Sequence, residues 1–203
     1  MKVNLTDIPV YYVNLEGEDE KRKHTESMLK NLGFKYVNRF NAIRHEAGRI
    51  IGCARSHYSI LSTVEPPFII LEDDCALNKE FVSEIDLPED ADCLYLGISH
   101  WGRYMNHSGP FVHTKKISDE FVRVYNMLAT HAIAYFSKEN YNKALESMET
   151  AIGMAEEEGY KPKENWYTIL AASINELKEE IGEREALLRQ ADIYEILVNL
   201  YPK

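Results

Sequence analysis

The first half of the chain alternates short β-branched and aromatic runs with longer stretches of helical periodicity, and this pattern restricts the fold more than any other feature. VYYVNL (Val10 to Leu15), KYVNRFNAI (Lys35 to Ile43), FIIL (Phe68 to Leu71) and DCLYLG (Asp92 to Gly97) read as strands. Between the first two lies EGEDEKRKHTESMLKNLG, with acidic residues first, basic ones after, and Met28, Leu29 and Leu32 forming an apolar edge. That order suits a helix set in its own macrodipole and ended by Gly33 as a C-cap. IIGCARSHYSILSTV (Ile50 to Val64) carries small and apolar residues at helical spacing and is closed by Pro66 and Pro67, while NKEFVSEI predicts a short helix. Strand–helix alternation of this kind predicts an α/β domain with a mostly parallel sheet flanked by helices.

The strand FIIL runs directly into Glu72, Asp73 and Asp74. Ligands of α/β sheets gather at the carboxyl ends of strands, where these charges would lie. Hard cations such as Mg²⁺ and Mn²⁺ take one or two carboxylates plus substrate phosphate oxygens, so mutually repelling side chains become favourable around such an ion. It would neutralise a departing diphosphate. The other reading is a solvated loop that caps the next helix.

With 203 residues, 45% hydrophobic and 28% charged, the chain is globular in composition and sized for one domain, with or without an appendage. A net charge of −10 disfavours non-specific nucleic-acid binding, and any site for an anion must bring its own cations. Cys53, Cys75 and Cys93 are widely spaced beside apolar segments. With no CxxC and no paired Cys/His pattern, they are expected to be buried thiols rather than zinc ligands or disulfides. MKVNLTDIPVYYVNL has no secretory h-region, and no apolar run reaches the ~20 residues of a membrane span, so a cytoplasmic location is expected.

Taken in order, YYVNLEGEDEKRKHTESMLKNLGF, RFNAI, IGCARSHYSIL, PFIILEDDCAL and DCLYLG resemble the blocks of glycosyltransferase family 25. This family comprises the lipopolysaccharide-biosynthesis galactosyltransferases and their collagen-modifying relatives. MLATHAIAYFSKENYNKAL (Met127 to Leu145) resembles its later Thr-His-Ala block, and the resemblance covers residues 8 to 149. It implies a GT-A-like (Rossmann-like) fold, a UDP-sugar donor, most often UDP-galactose, and Mn²⁺ or Mg²⁺. By the same resemblance Glu72 and Asp74 hold the metal and diphosphate beside Asp73, and Val13, Asn14 and Leu15 line the nucleotide pocket. Arg22 meets the diphosphate or ribose, and Arg55, Ser56 and His57 pack beside the donor. Arg22 reads equally as an exposed helix charge, and His57 as a buried histidine bonded to backbone. For His131 a structural hydrogen bond is favoured over catalysis. An inverting transfer needs a carboxylate base near the acceptor hydroxyl. Asp74, Asp92 and Asp119 are the candidate catalytic residues, with Glu120 a further carboxylate, and spacing does not choose among them. SHWGRYMNHSGPFVHTKK (Ser99 to Lys116) reads as an acceptor-side loop.

From Tyr141 the pattern changes to helix-rich sequence, with tetratricopeptide-like features around Asn165, Trp166 and the closing Leu200-Tyr201-Pro202. Pro162 and Pro202 lie about 40 residues apart rather than the usual 34, so any repeat is irregular, and a helical hairpin is the other reading. The expected organisation is a transferase-like domain over 1–149 and an all-α segment over 150–203. Two functions follow. The first is metal-dependent transfer of a sugar, galactose by the resemblance, from a UDP-sugar to a glycan or lipid-linked acceptor. The second is a degenerate transferase-like scaffold whose C-terminal helices hold a protein partner.

Overall fold

The computed structural model describes residues 1–46, 48–77, 80–97, 114–124 and 131–137, with single positions at 145, 149, 152, 153, 182, 184 and 187. In chain order its elements are β1 (Lys2–Asn4), a 3-10 turn (Leu5–Asp7), β2 (Val10–Asn14), α1 (Asp19–Asn31), β3 (Val37–Asn41) and α2 (Arg49–Thr63). There follow β4 (Phe68–Glu72), β5 (Glu84–Asp86), β6 (Cys93–Gly97), β7 (Thr114–Lys116), β8 (Val122–Val124) and β9 (Ala132–Tyr135). The chain divides into two compact units, Met1–Ile98 with Thr130–Gly159, and Ser99–Ala129 with Tyr160–Lys203. Apart from single positions, the helical segment expected from 150 onward lies outside the described residues, as does most of the expected acceptor-side loop.

The first unit is a mixed α/β domain around a five-stranded sheet of order β3-β2-β4-β9-β6. β2 pairs parallel with both β3 and β4, whereas β9 runs antiparallel between β4 and β6. Four of the five strands therefore point one way and β9 opposes them. Apolar residues on alternate positions of the central strands bury two faces. On one, Val10, Tyr12, Ile69 and Leu71 pack with Leu29 of α1; on the other, Val13, Phe68 and Ile70 pack with Ile60 and Leu61 of α2. Helix α1 has Asp19 and Glu20 in its first turn and Lys30 in its last, and the chain leaves it through Gly33 at φ +84°. That backbone angle favours glycine.

One expected element is corrected. Of NKEFVSEI, residues 80–83 are irregular and Glu84–Asp86 form β5, antiparallel to β1. A weak local helix preference yields to pairing with a strand some 80 residues earlier, as Ile85 packs against the α1-side core. The thiol expectation is also corrected in part: all three cysteines are free, but Cys53 and Cys75 are half-buried and Cys93 is exposed.

The second unit contributes the β7–β8 hairpin, with Lys115 opposite Arg123. At its turn the Ser118 hydroxyl accepts from the backbone N–H groups of Glu120 and Phe121, at 3.2 and 3.1 Å.

Candidate functional site at the carboxyl edge of the sheet

Parallel pairing brings the ends of β2, β3 and β4 to one edge, with Val13 opposite Glu72 and Asn14 opposite Asn41. On the α1 side of this edge Asn14, 1% exposed, is the hub. Its amide donates to Asp73 Oδ2 at 2.6 Å and to the Glu18 carbonyl at 3.2 Å, while its oxygen accepts from Arg39 Nε at 2.9 Å. Thr25 Oγ1 of α1 donates to the Asp73 carbonyl at 3.2 Å, fixing the turn after β4. Arg22, about one turn earlier on α1, pairs with Asp19 at 3.1 Å, yet its Nε is buried without a hydrogen-bond partner. Arg44 reaches the Glu16 carbonyl at 3.4 Å from the loop after β3. Behind them Tyr12 Oη donates to Glu26 at 2.5 Å, and burial, reinforced by that carboxylate, holds the phenol protonated well above its usual range.

On the α2 side, the GCARSH segment sets the helix against the sheet edge. A Cβ on Gly52 would meet the Ile43 carbonyl oxygen at 2.3 Å, so glycine permits the approach. Ser56 Oγ donates to the Gly52 carbonyl at 2.7 Å and accepts from the Ile43 N–H at 2.9 Å. Cys53 and His57, four apart on α2, then meet Glu72 at the end of β4. Cys53 Sγ lies 3.9 Å and His57 Nε2 3.4 Å from Glu72 Oε1. His57 is 2% exposed and neither ring nitrogen makes a hydrogen bond, the Glu72 contact being within ion-pair distance but not aligned as one. Burial and then the Glu72 and Asp74 carboxylates push the Cys53 thiol up to about 12.

The three acidic residues thus divide. Asp73 is held by Asn14, and Glu72 stands with Cys53 and His57. Asp74 is exposed and makes no hydrogen bond or ion pair among the described residues. It lines a groove of about 760 Å³ on the α1 side, together with Cys75, Leu71, Leu94 and His131. Burial, then Asp74, pushes the Cys75 thiol up to about 12, and its Sγ donates to the His131 carbonyl at 2.9 Å. That carbonyl also accepts from the Glu72 N–H at 2.8 Å.

The remaining sequence candidates fall in different places. Val13 is buried in the α2-side core, and Leu15 is half-buried just beyond β2. Ser56 is fully buried and engaged within its own helix and with Ile43. Asp92 precedes β6, whose Cys93 aligns through Tyr135 with Phe68 at the start of β4. It therefore sits at the opposite edge of the sheet from Glu72, a full strand length away. Asp119 belongs to the second unit, exposed at the β7–β8 turn and paired with Lys116 at 2.7 Å.

The donor set around Glu72 does not fit the hard, all-oxygen site expected of Mn²⁺ or Mg²⁺, because sulfur and imidazole are its other members. The expectation that no paired Cys/His pattern occurs is corrected here: Cys53 and His57 stand at C-x-x-x-H spacing, which puts both side chains on one helix face. No protein-family model, curated protein or solved structure matches the chain.

Proposed function

We propose that the chain is a sugar transferase of the glycosyltransferase family 25 type, with a GT-A-like first unit that takes a UDP-sugar at the carboxyl edge of β2, β3 and β4. One observation carries this reading. In a protein of net charge −10, Arg39 bonds Asn14, the residue that holds Asp73, while Arg44 and Arg22 reach the Glu16 carbonyl and Asp19 in the segment that follows β2, at the sheet edge where α/β folds bind ligands. Planar guanidinium groups give charge-assisted, paired hydrogen bonds to phosphate oxygens. The buried, unpartnered Nε of Arg22 is a donor in want of such an acceptor. Asn14 would hold Asp73 and Arg39 in place, and Asp74 is the carboxylate left open to solvent for the reacting end of the donor.

The test is thermal denaturation of the full chain with a panel of UDP-sugars, with and without Mn²⁺, alongside an assay for donor hydrolysis. Ligand that binds only the folded state raises the melting temperature by mass action. Stabilisation by a UDP-sugar that is lost in Arg22→Ala supports the reading. No shift with any UDP-sugar overturns it.

A further inference from the structure

We propose that Cys53, His57 and Glu72 form a binding site for a zinc-class divalent ion on the α2 side of the sheet edge. The sulfur, one imidazole nitrogen and one carboxylate oxygen all lie within 4.8 Å of one another. A tetrahedral ion with bonds of about 2.0–2.3 Å holds its ligand atoms about 3.3–3.6 Å apart. The observed 3.4 Å from His57 Nε2 to Glu72 Oε1 falls in that span, and the 3.9 Å from Cys53 Sγ needs only a small side-chain adjustment.

The geometry argues against a simple hydrogen-bonded cluster. His57 is almost wholly buried, and Nε2 faces an acceptor oxygen without making a hydrogen bond to it. Buried polar groups left in this state are costly, and native structures keep few of them. The Cys53 thiol donates to Glu72 and leaves the buried His57 Nε2 without a partner, whereas a central cation would engage the imidazole together with the sulfur and the carboxylate. The mixed sulfur, nitrogen and oxygen set selects a borderline first-row ion over Mg²⁺, Ca²⁺ or Mn²⁺. Three protein ligands leave a fourth position for water or an anionic oxygen, the arrangement of reactive rather than purely structural zinc. The elements that supply the ligands are rigid: Cys53 and His57 share α2, which Gly52 and Ser56 lock to Ile43, and Glu72 ends the central strand.

This site is independent of the donor reading, because it needs no nucleotide and its test uses none. The full chain, stripped of metal with a chelator, is titrated with Co²⁺ alone and then challenged with Zn²⁺. The expected result is one equivalent of Co²⁺ with a thiolate-to-cobalt charge-transfer band and visible absorption of four-coordinate strength, both displaced by Zn²⁺. Cys53→Ser removes the charge-transfer band, Glu72→Gln weakens Zn²⁺ binding at least tenfold, and Cys75→Ser leaves both unchanged. Absence of the band in the unaltered chain overturns the proposal whatever the variants do. So does a band that survives Cys53→Ser, or Zn²⁺ binding that Glu72→Gln leaves intact.

Discussion

Asn14 is buried at a strand end, a place where an amide is tolerated only if its donors and acceptor are matched. Asp73, Glu18 and Arg39 supply that match, so Asn14→Ala should lower stability by about 1–3 kcal/mol through the partners it strands. Urea denaturation checks this. Arg22 contributes little to folding by comparison, since the Asp19 carboxylate it pairs with is exposed and the pair is screened by solvent. Arg22→Ala should instead weaken UDP-sugar affinity about tenfold, equivalent to roughly 1.4 kcal/mol, with an unchanged urea midpoint. Calorimetric titration giving equal affinities would make Arg22 an ordinary surface charge. Tyr95, which lines the groove beside Asp74, offers a pH test. Burial pushes its phenol up to about 12, so the folded state keeps a proton that the unfolded chain loses near pH 10. Its contribution is complete below pH 10 and is lost as pH rises toward 12. Tyr95→Phe should flatten the fall of stability across that window.

At the scale of elements, α2 and β4 position the chemistry. Gly52 allows α2 to touch the Ile43 backbone, and Gly52→Ala would force helix and loop apart. The cost should be roughly 1–3 kcal/mol, as for overpacking, and it should displace Cys53 and His57 from Glu72. Reduced Co²⁺ affinity in a still-folded Gly52→Ala would report that displacement. Phe68 is fully buried in β4, stacked on Tyr135 at 5.3 Å and edge-on to Tyr11 at 6.2 Å. Phe68→Ala should destabilise the protein by about 3–5 kcal/mol, measured by urea denaturation. Most of these elements were legible. β2, α1, β3, α2, β4 and β6 follow from periodicity, turn residues and caps that lie within a few positions of one another. β5 was not, because its partner β1 is a three-residue strand distant in sequence, with no pattern long enough to read.

For the whole molecule, a net charge of −10 opposes every anion except where cations are grouped. The chain should therefore show no affinity for duplex DNA at 0.15 M salt by fluorescence anisotropy, while UDP-sugar binding at the arginine rim weakens as salt rises. The sequence alone determined that an α/β layer would form, that FIIL would be buried and that its acidic end would lie at the carboxyl edge of the sheet. These follow from local periodicity and strand chemistry, which need no knowledge of distant residues. Only the tertiary structure decided how the acidic run divides, with Asp73 turned to Asn14, Glu72 to Cys53 and His57, and Asp74 to solvent. It also decided that β9 runs against β4 and that Asp92 lies at the far edge. The reason is physical: a residue's type sets what it can bond, but strand direction and register, which depend on pairing across many tens of residues, set what it meets.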